Sequence, residues 1–217
     1  MRIFFSIIFI LSILTCIGLI FWHQEWRFSK PTPVPENHYK IESGDSLSND
    51  LLSSLGINAG EQLFIHFYNF DCPCSRFNIK EFQNLVIKYN SKVKFLAVLE
   101  TIEKEESEIQ EFRKKYDLGI EIHLDKQGTI AEQLGVYSTP QAVLIKNQQI
   151  YFSGNYNKAR FCTTQNTKFA SIALSAMVEG KEPPVFPELA TIAYGCELPA
   201  NGNMNTRIDK FFNFLSL

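Results

Sequence analysis

Two cysteines separated by one proline, Cys72 and Cys74 in "NFDCPCSRFN", stand where an apolar run stops and a helical pattern starts. A thiol at a helix N-terminus lies beside amide N–H groups and a partial positive charge, and both favour the thiolate. The thiolate is the attacking species in disulfide exchange, and a sulfur that ionises readily also leaves readily. Pro73 suits a first helical turn, where its missing N–H costs nothing. A disulfide across C-x-C closes a small ring and is easily reduced, which suits an oxidant or isomerase better than a strong reductant. Alternatively Cys72 works alone and Cys74 resolves slowly.

Two soft thiolates at this spacing are also a copper(I) grip, with Cys162 or a histidine as a further ligand. No histidine follows His123, and the paired C-x-x-C elements of a structural zinc site are absent, so neither a metal nor a cofactor is expected. Cys162 and Cys196 are candidates for a structural disulfide that staples the C-terminal part of the chain to the core; the other reading makes one of them an electron relay to Cys72. Spacing does not distinguish the two.

The elements that must position these sulfurs alternate. "QLFIHFYNF" reads as a buried strand and "SRFNIKEFQNLVIKYN" as a helix with a stripe of Phe77, Phe82, Leu85 and Val86. "KVKFLAVLE" and "IEIHLD" are further strands, separated by the charged helix "EKEESEIQEFRKKYDLG". A short helix "GTIAEQLGV", a hairpin turning at Asn147 and Gln148, and a helix over "NTKFASIALSAMVEG" complete the order β-α-β-α-β-α-β-β-α. This predicts an α/β domain with a mixed central sheet flanked by helices. Ahead of it, Ser43 or Asp45 caps a lead-in helix whose apolar face is Leu47, Leu51 and Leu55.

Residues 3–22 carry no charge and match the thickness of a bilayer's hydrocarbon layer. Phe21, Trp22, His23 and Gln24 follow where a cleavage site would want small residues, so the segment reads as a retained signal anchor, with Cys16 as membrane filler and a cleaved signal as the alternative. The expected organisation is an anchor over 1–26, a proline-rich tether over 27–41, a domain over 42–182 and a C-terminal extension over 183–217 that packs on it. An even count of four cysteines beyond Cys16 suits an oxidising compartment. A formal charge of -2 supplies no basic field, and nucleic acid is not an expected partner.

Over roughly residues 60 to 180 the order resembles the thioredoxin fold with an added strand and helix. "HFYNFDC" has the strand-to-cysteine spacing of that superfamily, and Thr139-Pro140 in "GVYSTPQAVLI" stands where it keeps a cis-proline beside the reactive cysteine. "CPCS", "GNYNKARFCT" and "AYGCELP" resemble an uncharacterised bacterial family of membrane-anchored thioredoxin-like proteins. The resemblance implies a thiol-disulfide oxidoreductase with Cys72 as nucleophile, acting on protein or low-molecular-weight thiols. It implies a bacterial inner-membrane protein of one span with its domain in the periplasm.

By the same resemblance Thr139 and Pro140 offer a backbone edge to substrate. His66 takes the place of a buried acid that moves the resolving cysteine's proton, a task an imidazole performs near neutral pH; the plainer reading is a satisfied core histidine. Ser75 replaces the usual resolving cysteine, and Asp71 is expected as a helix cap. "NFDCP" is also similar to the peroxiredoxin segment, but Asn69 and Ile65 stand in place of that family's threonine and proline. A thiol peroxidase assisted by Arg160, a copper(I) metallochaperone using Cys72 and Cys74, and a non-catalytic binding module are the alternatives.

Overall fold

The computed structural model describes residues 2–22, 30–58, 60–101, 107–158 and 165–200. Cys162, Arg160 and the segment 201–217 lie outside them.

Strand β1 (Gln62–Tyr68) is the centre of the fold. Its side chains alternate between two apolar layers, as a strand's period of two requires. Phe64 and Tyr68 enter one cluster with Phe82, Phe95 and Tyr156, and Leu63, Ile65 and Phe67 enter the other with Leu96, Val98 and Val143. Strand β2 (Lys94–Glu100) and β3 (Glu121–Asp125) run parallel to β1, while β5 (Gln141–Lys146) and β6 (Gln149–Gly154) run antiparallel to their neighbours, giving the order β3-β2-β1-β5-β6. Asn147 and Gln148 both have positive φ, as a two-residue hairpin between right-twisted strands demands.

Helices cover both faces. Helix α3 (Pro73–Tyr89), α4 (Ser107–Tyr116) and α6 (Phe169–Val178) bury Phe82, Phe112, Leu174 and Met177 in the first layer. Helix α2 (Asn49–Ser54) and α5 (Thr129–Gln133) bury Leu51, Leu52 and Ala131 in the second. The cap of α2 is Ser48, whose hydroxyl accepts from the Leu51 amide at 3.3 Å, and not Ser43 or Asp45. Those two residues serve the turn before it instead, where Asp45 accepts from the Glu42 amide and Ser43 donates to the Tyr151 carbonyl.

Helix α1 (Arg2–Phe21) has 20 residues, none of them buried; at about 1.5 Å per residue it is long enough and apolar enough to cross a membrane. The proline-rich stretch does more than extend. Thr32 is buried, its amide donates to the Ala193 carbonyl, and His38 meets the Tyr137 ring edge-on at 4.6 Å.

A short pair, β4 (Ser138–Thr139) with β7 (Cys196–Glu197), adds a second sheet that the strand pattern gives no sign of. It is built by the return from α6. The Asn155 amide donates to the Ala190 carbonyl at 2.8 Å, and its side-chain amide donates to the Leu189 and Ile192 carbonyls. Gly154 admits this turn, because a Cβ there would strike the Ala190 carbonyl oxygen.

Glu100 and Asp125 end β2 and β3 as register partners, both buried. Desolvation, and then the charge of Asp125, pushes the Glu100 carboxyl up to about 9, so it is protonated at neutral pH and donates to Asp125. Asp125 is raised less, because the Ala131 amide donates to it at 2.9 Å. Between the ordinary value of 4.5 and about 9 the folded chain holds a proton at Glu100 that the unfolded chain releases. Stability therefore falls as pH rises through that window. The midpoint temperature of the full chain in detergent should drop from pH 5 to pH 9, and Glu100→Gln should flatten that slope; parallel curves for the two proteins would remove the assignment.

Candidate redox site

Strand β1 ends at Tyr68 and helix α3 begins at Pro73, so the intervening turn sets where Cys72 points. Asn69 shapes it. Its side-chain oxygen accepts from the Asp71 amide at 2.7 Å and its carbonyl accepts from the Cys72 amide at 3.2 Å. The Asn69 amide donates to the Ser75 hydroxyl at 3.4 Å, which gives the residue standing in the place of a resolving cysteine a structural task. Asp71 is exposed and makes no cap; the cap position is taken by Cys72 itself. With Pro73 at the first helical position, the sulfur lies at the positive end of a 17-residue helix.

Cys72 is bonded to Cys196, across 124 residues, with Cα atoms 5.8 Å apart. This corrects the expected pairing of Cys196 with Cys162, and it also replaces the C-x-C disulfide as the bond in place. The reason lies in the short β4–β7 pair: Thr139 and Cys196 are register partners, and Thr139-Pro140 is a cis peptide beside Cys72. Cys72 Sγ sits 3.3 Å from the Thr139 carbonyl oxygen. The bonded sulfur has no proton to donate, so this contact becomes a hydrogen bond only in the thiol. The carbonyl then favours the thiol while the helix end favours the thiolate.

Cys74 lies outside the disulfide, buried in the first turn of α3. The Sγ atoms of Cys72, Cys74 and Cys196 are all within 4.8 Å of one another. Three sulfurs this close can exchange a bond among themselves, or when reduced offer three soft ligands to one ion.

Cys196 is held from both sides. The Ser138 hydroxyl donates to the Cys196 carbonyl at 3.0 Å and is paired with the Thr32 hydroxyl at 2.9 Å. Since Ser138 has one proton, Thr32 is the donor in that pair. Gly195 approaches so closely that a Cβ would meet the Thr139 carbonyl oxygen. Cys72 is 1% exposed, and what seals it is this segment; Cys196 itself is half-buried.

His66 stands beneath, fully buried. It stacks on Phe82 at 4.3 Å, and its Nδ1 pairs with the Tyr156 hydroxyl at 2.7 Å. Burial lowers its pKa to about 3, so the imidazole is neutral throughout the physiological range. That removes the expected titration near neutral pH and leaves a core histidine with one side-chain hydrogen-bond partner among the described residues. Sequence reasoning missed Ser138, Gly195 and Thr32, for which the only signal was the glycine preceding Cys196.

The strand order, the cis-proline and the cysteine at the start of α3 make the fold thioredoxin-like. The chain is similar to several solved structures at low identity. An uncharacterised conserved protein from Geobacillus kaustophilus is 15% identical, with 82% of this chain and 100% of that one covered at a TM-score of 0.60. A hypothetical protein from Sinorhizobium meliloti 1021 is 17% identical, with 74% and 96% covered at a TM-score of 0.59. A thioredoxin-like protein solved in its oxidised form is 13% identical, with 70% and 98% covered at a TM-score of 0.48. No curated protein matches the chain significantly. A family profile described as domain of unknown function DUF6436 matches residues 43–197, a span that runs from the lead-in to α2 through Cys72 and ends one residue past Cys196, and the chain belongs to that family.

Proposed function

We propose that this chain is a membrane-held thiol-disulfide oxidoreductase whose working bond is Cys72–Cys196, acting on extracytoplasmic protein or small thiols. One observation carries the reading: the sulfur at the N-terminus of α3 is joined to a cysteine from a short, separately held strand beside cis Thr139-Pro140. In the reduced chain the Cys72 thiolate attacks a substrate disulfide, forms a mixed disulfide and expels one substrate thiolate. Cys196 then attacks Cys72 Sγ, restores the Cys72–Cys196 bond and releases the second substrate thiol. Two electrons pass from protein to substrate, and the reverse sequence oxidises a dithiol.

Cys74 is the auxiliary thiol of this scheme. Its attack on Cys72 Sγ exchanges Cys72–Cys196 for Cys72–Cys74 and frees the Cys196 thiolate with no net change in oxidation state. The membrane helix Arg2–Phe21 and a disulfide kept in place support a domain on the oxidising side, the periplasmic face of a bacterial inner membrane. Neutral His66 takes no part as a charged relay, so the pH dependence of exchange follows the thiols.

A second reading rests on the three sulfurs: after reduction they suit a soft monovalent cation such as copper(I). Peroxide reduction lacks support from the turn, where the side-chain oxygen of Asn69 is committed to the Asp71 amide.

With the full chain in detergent micelles, Cys72→Ser should lower insulin-disulfide reduction by at least about a hundredfold. Cys196→Ser should slow turnover and accumulate substrate joined to Cys72, visible by non-reducing mass spectrometry. Full activity in Cys72→Ser would sink the proposal, and copper(I) held by three sulfurs in the reduced wild type would favour the second reading. The His66 ring shift, followed by NMR between pH 5 and 8, should stay flat; a midpoint near the usual histidine value would contradict its burial.

A further inference from the structure

The proline-rich stretch 30–41 lies against the segment that carries Cys196, and the two meet at Ala193. Ala193 is fully buried, its carbonyl accepts from the Thr32 amide at 2.8 Å, and its amide donates to the Tyr137 hydroxyl at 3.1 Å. Both of its backbone groups are thus taken, one of them by the stretch. Pro31, Pro33 and Pro35 favour an extended backbone and supply no N–H, so Thr32 and Val34 carry the amides between them, and Val34 is exposed. Thr32 is the residue turned to the domain.

Thr32 reaches the redox bond through two hydroxyls. Its own donates to Ser138 at 2.9 Å, and Ser138 donates to the Cys196 carbonyl at 3.0 Å. Thr32 and Ser138 are both buried, and a chain of hydrogen bonds out of water is cooperative, so the Thr32 hydroxyl strengthens the grip on Cys196. Further along, His38 meets the Tyr137 ring, the Tyr39 carbonyl crosses Gly135, where a Cβ would come within 3.0 Å of it, and Ile41 packs on the second apolar layer. The stretch is therefore fixed at one end to the Cys196 segment and at the other to the loop that leads into the cis-proline.

We propose that residues 30–41 are a redox-coupled strap, seated more firmly while Cys72–Cys196 is intact and loosened when that bond is reduced. The inference rests on the oxidoreductase reading and adds a regulation of its working bond. Its physical cause is ordering entropy. The disulfide keeps Ala193 and Cys196 in place to receive the strap, whereas in the reduced chain the strap bears part of the cost of ordering that segment as well. Coupling is reciprocal, so the seated strap stabilises the disulfide, and anything that draws residues 30–41 off the domain makes the bond easier to reduce. Thr32 is the positioning residue of this device, acting on Cys196 through Ser138 and Ala193.

The test is the equilibrium of the full-length chain in detergent with glutathione, read by thiol alkylation and peptide mapping of the Cys72–Cys196 pair. Two glutathione thiols give two electrons to that bond and leave as glutathione disulfide, while Cys72 and Cys196 take up the protons. Thr32→Val removes the hydroxyl and should shift the equilibrium at least about fivefold toward the dithiol, and Thr32→Ser, which keeps it, should return the value to within about twofold of wild type. A hydroxyl that merely stabilised the fold would lower the midpoint temperature of both redox states alike and leave the equilibrium in place. An unshifted equilibrium in folded Thr32→Val would overturn the strap, whatever the insulin-disulfide reduction by the wild type. A shifted equilibrium in a chain without that activity would uphold the strap and overturn the oxidoreductase reading alone.

A second measurement reads the strap directly and does not depend on the folding of Thr32→Val. In the wild type, reduction should speed hydrogen exchange of the Thr32 amide, which is bonded to Ala193 in the oxidised chain. Cys196→Ser, which cannot form the bond, should show the faster rate under oxidising conditions as well. Equal protection of Thr32 in the oxidised and reduced wild type would remove the proposal.

Discussion

The approach of the Gly195–Cys196 backbone to Thr139 is the constraint on which this end of the molecule depends. It brings Cys196 within bonding reach of Cys72, seals the sulfur at the start of α3 and fills the edge of β4 in one act. Each neighbour serves it. Asn155 and Gly154 fix the turn that delivers the segment, Ser138, held in turn by Thr32, donates to the Cys196 carbonyl, and Leu198 anchors its far end in the core. A bond closing 124 residues also removes on the order of 4–5 kcal/mol of chain entropy from the unfolded state. The segment is thus stabilised covalently, by hydrogen bonds and by burial, and two of these three survive reduction.

The same arrangement ties the proline-rich stretch to the Cys72–Cys196 bond. Thr32 donates its amide to Ala193 and its hydroxyl to Ser138, so the chain leaving α1 is clasped between the return segment and the cis-proline loop. His38 on Tyr137, whose hydroxyl accepts from the Ala193 amide, extends the clasp. The site has its electrostatics set by backbone groups: a helix end draws charge onto Cys72 and a carbonyl draws a proton onto it. Two buried ionisable side chains elsewhere in the core stay neutral instead, His66 because it is desolvated and Glu100 because it is desolvated and faces Asp125.

Much of the fold was legible from local patterns. The run Leu63 to Tyr68, the stripe of Phe82, Leu85 and Val86, and the two-residue turn at Asn147 and Gln148 each encode their own element, because burial on both faces, a 3.6-residue period and positive φ are local demands. Caps were harder. Ser43, Asp45 and Ser48 are chemically equivalent as N-caps, and choosing among them needs the helix to be seen; Asp71 fails as a cap because the helix starts one residue later, with Cys72 at the cap position, while the Asp71 amide itself donates to the Asn69 side chain.

By itself the sequence determined the chemistry of the centre: a cysteine at a strand-to-helix junction with a proline behind it, a Thr-Pro pair in the right relation to it, and one apolar segment of membrane length. The partner of Cys72 was decided only by tertiary structure. Disulfide pairing depends on Cβ atoms meeting at bonding distance, and sequence separation carries almost none of that information. Cys74, two residues away, lost to Cys196, 124 residues away, because a folded return segment with a glycine at its closest point outweighs proximity along the chain.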